Sequence, residues 1–485
     1  MFLGIDVGTS CVKAVVTAAS GEVLAQSSAD LTVSRPHPLW SEQDPVAWVE
    51  AAHKAVLGLD ATIRAGVEGV GLAGQMHGAT LLGSDDKPLR PAILWNDGRS
   101  FAECAGLEAA EPRTREITGN IAMPGFTAPK LAWVRAHEPD VFAATKTVLL
   151  PKDFVRLALT GEKASDMSDS AGTLWLDVAA RDWSDDMLAA TGLNRSHMPR
   201  LHEGPEVTGT LREDVARSWG MGRVPVVAGA GDNAAGALGV GVLGDGQGML
   251  SLGTSGVIFV ANAAFRPNPA QAVHAFCHAL PGVWHQMSVH LSAASCIDWA
   301  AKACNVPGPA EFFALAEGAG AEGAGAACGP ELFLPYLSGE RTPHNDPHIR
   351  AAFIGLGNES TTSRMAAAVL EGVAFAHADG IDALRAAGTQ IDELCVIGGG
   401  SRSAHWGRIL SSVLGVRLVY LHGGEVGPAL GGARLAQMAV TGASAADVCT
   451  RPPVRAVIEP DPALAAALAP KRTRFRAAYA ALSAI

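Results

Sequence analysis

The tripeptide Gly-Thr-Ser closes two runs far apart in the chain, GIDVGTS (Gly4 to Ser10) and MLSLGTSG (Met249 to Gly256), each following a short apolar stretch that reads as a β-strand. Small residues at the end of a buried strand let backbone N–H groups approach a polyphosphate, and Thr and Ser hydroxyls add directed donors. The pattern is a repeated phosphate-holding turn: Gly8, Thr9 and Ser10 in the first copy, Gly253, Thr254 and Ser255 in the second. Two such turns imply a cleft between duplicated halves. Asp6 stands at the end of the first strand, where a metal ion bridging nucleotide phosphates could sit, and Lys13 lies just beyond the turn. A γ-phosphoryl group in transfer carries charge that Mg²⁺ and fixed donors must stabilise, and this grouping suits that task.

Asp232, in VVAGAGDNAAG (Val226 to Gly236), follows a strand and opens a helix of small residues. It reads as a helix N-cap. An N-cap carboxylate is also held ionised by the helix dipole, which suits a base that takes a proton from an attacking hydroxyl, so the two roles are compatible. The loop AGQMHGAT (Ala73 to Thr80) offers Gln75 and His77 together, as a polyhydroxyl ligand requires. A histidine there serves equally well as a satisfied structural residue, and both readings stand. No Gly-x-x-x-x-Gly-Lys-Ser/Thr run occurs, which excludes a P-loop enzyme. Two Gly-x-Gly-x-x-Gly matches, Gly69 to Gly74 and Gly239 to Gly244, are no more than chance supplies among 55 glycines. His274, His278, His285, His344 and His348 show no metal-binding spacing and read as structural or surface residues. The basic tail Lys471 to Arg476 reads as the solvated face of a terminal helix.

These residues need a scaffold, and 485 residues exceed what one hydrophobic core supports, so two domains are expected. With 48% hydrophobic and 18% charged residues the composition is that of a soluble globular protein. A net charge of −11 without a basic stripe argues against nucleic-acid or acidic-membrane partners. The first residues lack a signal-peptide pattern, and no apolar run approaches the roughly 20 residues of a membrane span, so a cytoplasmic location is expected. The eight cysteines form no Cys-x-x-Cys pair and read as reduced core residues.

Strand-like runs Leu3 to Val7, Val12 to Thr17 and Val23 to Ser27 form an opening meander. A helix capped by Asp44 with Pro45 at its first position follows, and Val67 to Leu72 resumes as a strand. The second half repeats the plan with Met249 to Leu252, Gly256 to Ala261, and Leu394 to Ile397 running into Gly398-Gly399-Gly400. Between the halves come a strand (Val224 to Ala228), a helix (Ala234 to Gly239) and the Gly-rich link Gly241 to Gly248, which divides the chain into domains 1–244 and 245–485. The Ala- and Gly-rich Ala319 to Gly329 reads as a surface loop.

Along essentially its whole length the chain resembles the FGGY family of carbohydrate kinases, within the superfamily that holds actin, hexokinase and Hsp70. MPGFTAPKLAWV (Met123 to Val134, with Lys130 and Trp133) is similar to the family's first signature, and AFIGLGNESTTSRMAAAVLEG (Ala352 to Gly372) to its second. The strings SRPHPLWSEQDP (Ser34 to Pro45), AGQMHGATLL, RPAILWNDGR (Arg90 to Arg99), ASDMSDSAGTLWLDV (Ala164 to Val178) and YLSGERTPHNDP (Tyr336 to Pro347) resemble the members that act on D-xylulose. Glycerol-phosphorylating members carry Arg-Glu where this chain has Met76-His77.

The resemblance implies an α/β fold of two actin-like (ribonuclease H-like) ATPase domains flanking a deep cleft, the first binding sugar and the second ATP. It implies phosphorylation of D-xylulose to D-xylulose 5-phosphate, with Asp232 as general base and Met76, His77, Asp232 and Asn233 on the ketose. Asp6 would hold Mg²⁺, the two Gly-Thr-Ser turns with Lys13 would meet the phosphates of ATP, and Gly399, Gly400 and Ser403 would line the adenosine pocket. A cytoplasmic homodimer is expected on the same ground. Cys11 stands where relatives often have Gly or Ser, and Arg364 where a polar or acidic residue is usual. Two other readings stay open: a different ketose or polyol as acceptor, and an ATP-driven switch with no sugar acceptor at all.

Overall fold

The computed structural model describes residues 1–319, 329–422 and 427–484. Cys328 and nearly all of the loop expected over Ala319 to Gly329 fall outside them.

The opening meander is present as β1 (Phe2–Val7), β2 (Cys11–Thr17) and β3 (Val23–Asp30), paired antiparallel in sequence order. Helix α1 (Pro45–Leu57) then crosses to β4 (Gly69–Gly74), which runs parallel to β1. Asp44 Oδ1 accepts a hydrogen bond from Val46 N at 3.0 Å, so the expected cap forms, and the helix buries Trp48, Ala52, Ala55 and Val56 against the sheet. With β5 (Val207–Thr210), β6 (Pro225–Val227) and β7 (Ala230–Gly231), the sheet has the order β5-β6-β4-β1-β2-β3, β7 pairing with the end of β4.

The second sheet restates this plan. Its strands are β8 (Gln247–Leu252), β9 (Gly256–Asn262), β10 (His274–Cys277), β11 (Trp284–His290), β12 (Glu393–Ile397), β13 (Arg417–Leu421) and β14 (Val454–Ile458), in the order β10-β11-β9-β8-β12-β13-β14. The hairpin β8-β9 corresponds to β1-β2, and β12, parallel to β8, corresponds to β4. Each Gly-Thr-Ser is thus a hairpin turn at the same point of a duplicated sheet.

One helix joins the halves. Helix α8, named here in chain order after α2 (Thr127–His137), α3 (Pro151–Thr160), α4 (Met167–Ala171), α5 (Asp232–Gly239), α6 (Thr362–Ala386) and α7 (Ala404–Leu414), spans Gly427–Thr441. It follows β13 of the second sheet yet packs on β1, β4 and α5. The approach is close enough to require glycine: a Cβ at Gly4 would lie 1.8 Å from Ala429 O, and one at Gly71 1.9 Å from Gly432 O. The Gly69 to Gly74 repeat is therefore a strand stripped for helix packing. Buried Arg434 donates from Nη1 to Gly239 O at 3.1 Å, tying α8 to the end of α5.

The basic tail is not a solvated face. On the terminal helix α9 (Pro462–Leu482), Lys471 is buried against Glu371, Phe475 is fully buried, and Arg472 and Arg476 both engage Asp379 and Asp382. The acidic partners lie along α6, about a hundred residues earlier, so the local charge run gave no sign of them. The seven described cysteines are free; five are buried, while Cys11 and Cys304 are partly exposed. Among the described residues, no helix is long and apolar enough to cross a membrane.

Candidate active site

The first turn is clamped from behind. Gly8 N donates to Cys11 O at 3.1 Å to close the hairpin. Thr9 Oγ1 donates to Gln75 Oε1 at 2.9 Å, Gln43 Nε2 donates to Thr9 O at 2.7 Å, and buried Trp48 Nε1 holds Gln43 Oε1 at 2.9 Å. Trp95, half exposed, donates from Nε1 to Thr9 Oγ1 at 3.1 Å. The strands of loop that carry Gln43 and Trp95 are themselves joined, because Glu42 receives both Arg90 and Arg99, the latter at 2.7 Å. Asp6 lies at the root of this turn, in register with Lys13 across the hairpin. Burial and the charge of Asp232 push its carboxyl up to about 7, with Lys13 opposing, and its Oδ1 is buried without a hydrogen-bond partner among the described residues. An orphaned anionic oxygen beside a second carboxylate fits a cation site.

Asp232 is the first residue of α5, and Gly231 occupies the cap position expected for it. Its Oδ1 accepts from Asn233 N at 2.7 Å and Asn233 Nδ2 at 2.9 Å. Burial raises its carboxyl to about 6 against those two bonds. Gly231 N donates to Ser168 Oγ at 3.0 Å, and Ser168 belongs to a buried ionic knot in which Lys152 Nζ meets Asp153 and Asp166 at 2.7 Å each and Asp169 at 3.1 Å. The start of α5, and Asp232 with it, is thus fastened to α4. Asp232 and Asn233 line a cavity of about 160 Å³ whose other wall includes Ser251 of β8, Ile397 of β12 and Pro428 of α8.

His77 sits in the left-handed region with φ 69°. Its Nδ1 lies 2.6 Å from Gly172 O, the residue that ends α4, so Nδ1 carries the proton and Nε2 the lone pair. Burial, and then Lys130 and Arg341, bring the ring down to about 3 and keep it neutral. The His77 carbonyl accepts from Lys130 Nζ at 2.8 Å and Thr127 Oγ1 at 3.2 Å. A neutral imidazole held at two points presents one acceptor to a hydroxyl group. Met76 is 5% exposed and packs beside Gly231, within the core that seats Asp232.

In the second turn Gly253 N donates to Ser255 O at 3.1 Å, while Thr254 and Ser255 are exposed. A Cβ at Gly398 would lie 2.8 Å from Leu252 O, so the Gly398-Gly399-Gly400 turn rests against the end of β8 beside Gly253. Gly399 is exposed; Gly400 is buried against Trp406. Ser403 Oγ accepts from Trp406 N at 3.2 Å and caps α7.

Asp6, the first turn, Gln75 to His77 and Asp232-Asn233 therefore gather at the ends of the first sheet, and Gly253 to Ser255, Gly399, Gly400 and Ser403 at the ends of the second. The cavity beside Asp232 and Asn233 reaches Ser251 and Ile397 on the strands that lead to the second group. Gln43, which clamps Thr9, and Arg341, whose charge reaches His77, were not singled out from sequence; both lie in the strings that carried the family resemblance. Cys11 contributes its carbonyl to the first turn, and Arg364 pairs with Glu331 at 3.3 Å, away from these groups.

This chain belongs to the FGGY family of carbohydrate kinases: residues 1–239 match the family's N-terminal domain and residues 248–440 its C-terminal domain. Its two mixed sheets with their helices are the actin-like ATPase fold of that family. Among its relatives, the xylulose kinase of Escherichia coli (strain K12) is 54% identical over 481 residues, covering 99% of this chain and 98% of that protein. A solved structure described as a xyloylose kinase from Brucella ovis superposes with a TM-score of 0.95 at 50% identity, covering 100% of this chain and 99% of that one. The xylulose kinase of Rhodospirillum rubrum superposes with a TM-score of 0.91 at 30% identity, covering 99% of each chain.

Proposed function

We propose that this chain transfers the γ-phosphoryl group of ATP to the 5-hydroxyl of D-xylulose, giving D-xylulose 5-phosphate and ADP, as a step in D-xylose breakdown. The observation that carries the reading is the half-buried Asp232 carboxylate, bonded among the described residues only to Asn233, on a cavity that reaches both sheets. Asp232 accepts the hydroxyl proton as the C5 oxygen attacks the γ-phosphorus, and the bond to the ADP oxygen breaks. His77 Nε2 accepts from a sugar hydroxyl, with Met76 and Asn233 beside it. Gly8 to Ser10, Lys13 and Gly253 to Ser255 hold the phosphates, while Gly399, Gly400 and Ser403 border the nucleoside.

Mg²⁺, when bound, neutralises phosphate charge, and Asp6 with its unpartnered Oδ1 is the residue that would hold it. Residues 1–244 bind the sugar and residues 245–485 the nucleotide. Closing of the two halves around both ligands aligns the reacting oxygens and excludes water, the competing nucleophile. The enzyme is cytoplasmic and works as a homodimer.

An ADP-release assay with and without D-xylulose tests the reading. Turnover is expected to rise by orders of magnitude with the ketose and to favour it over D-ribulose, glycerol and xylitol. Equal ADP release with and without any sugar points to an ATP-driven switch, and preference for another acceptor moves the assignment to that sugar.

A further inference from the structure

Arg341 is a half-buried cation whose own protein supplies it little. Its loop is fastened to β11, with Thr342 N donating to Val289 O at 3.1 Å and Val289 N to Thr342 Oγ1 at 3.0 Å. The adjacent Glu340 is engaged elsewhere: Oε1 accepts from Leu291 N at 3.0 Å and from Arg341 N at 2.8 Å, and Oε2 lies 3.3 Å from His290 Nδ1. Among the described residues the guanidinium makes a single hydrogen bond, Nη1 to His274 Nε2 at 3.1 Å, and forms no ion pair. His274 Nδ1 faces Asn120 Oδ1 at 3.2 Å, which places the ring's proton on Nδ1 and its lone pair toward Arg341. A guanidinium has five donors, and those that this one does not spend on protein are not sealed from solvent, so a ligand in the site can take them.

The rings around it show which end of the site it faces. His274 stacks on Phe276 with centroids 5.4 Å apart and meets Phe126 edge-on at 5.4 Å. His77 meets the same Phe126 edge-on at 5.1 Å and lies 6.3 Å from Phe276. Arg341 is thus joined through His274 to the aromatic walls that flank His77. Its charge helps hold both imidazoles neutral, whereas the carboxyl of Asp232 is raised by burial against its two bonds from Asn233. The guanidinium thus lies on the His77 side of the site.

We propose that Arg341 reads the hydroxyketone end of the acceptor: its remaining N–H groups donate to the C2 carbonyl oxygen, whose two in-plane lone pairs match the guanidinium fork, while the far terminal hydroxyl lies at Asp232. The inference rests on the ketose-kinase reading above and adds the group by which a ketose is told from a polyol. Arg341 enters here as a substrate-binding residue.

The test compares wild type, Arg341→Met and Arg341→Lys through the KM for D-xylulose, the inhibition constant of xylitol (which has a carbinol at C2) and the KM for ATP. In Arg341→Met the D-xylulose KM is expected to rise more than about tenfold while the xylitol constant and the ATP KM move by about threefold or less, with Lys recovering part of the loss. D-xylulose and xylitol weakening in step, or an unaltered D-xylulose KM, overturns the inference while leaving the kinase reading intact. Wild type that does not phosphorylate D-xylulose overturns both. If Arg341→Met fails to melt as a folded protein, His274→Phe, which removes the acceptor on Nη1, is scored by the same two criteria.

Discussion

At the scale of single residues, the chemistry rests on how burial sets protonation. The proposed base, Asp232, must be ionised to accept a proton, and burial raises its carboxyl from 3.8 to about 6, so the base form is present above that pH and lost below it. At saturating Mg²⁺, kcat/KM for the ketose is therefore expected to fall by about tenfold per pH unit below pH 6; an unshifted carboxylate would keep the profile flat to about pH 4. Asp232→Asn keeps the side-chain shape and removes the base. It should lower kcat by roughly 10²–10⁴-fold with little change in the KM for ATP, and near-normal turnover would remove Asp232 from the mechanism. His77 offers one lone pair and no charge, so His77→Ala should raise the KM for D-xylulose by about tenfold and that for ATP far less. Equal rises in both would assign the ring a folding role.

At the scale of elements, α4 is five residues long yet supports both ends of the reacting assembly: Ser168 holds the backbone of Gly231, and Gly172 at its end holds the His77 ring. Its foundation is Lys152 among Asp153, Asp166 and Asp169, all fully buried. Removing the cation leaves buried carboxylates unbalanced, so Lys152→Met should destabilise the fold by about 3–5 kcal/mol in a denaturant titration, and a loss under about 1 kcal/mol would show the acids are neutral. None of this was legible as a site in the sequence, where Lys152 stands next to Asp153 like any surface pair. Local patterns did reveal the strands flanking both turns, the cap at Asp44 and the repeat of strand, turn and strand, because these depend on neighbours within a few residues. They failed for β10 and β11, whose pattern of His and Phe was read residue by residue, for Asp232, where Gly231 takes the cap position, and for the basic run on α9, whose partners lie on α6. What escaped depends on partners that a local pattern does not name, from the acids that gather on Lys152 to those of α6 about a hundred residues before α9.

For the whole molecule, the decisive element is α8, which reaches the first sheet from the far end of the sequence. One buried cluster joins Phe2, Ala73, Ala235 and Leu238 to Ala433, Leu435 and Ala436. The two halves are thus continuous through a shared core, and the cavity beside Asp232 has the start of α8 in its wall. Motion of one half against the other would strain the packing of this helix on the back of β1 and β4 as well as the contacts of Asn120 and Phe126 with β10. A fragment of residues 1–244 lacks α8 and would expose that apolar surface to water. It is expected to aggregate or bind the dye ANS and to melt without a cooperative transition, and joining residues 427–441 to it by a flexible linker should restore a sigmoidal melt. A sharp melt of the unaided fragment would mean that the first sheet completes its own core, and that α8 serves the cleft alone.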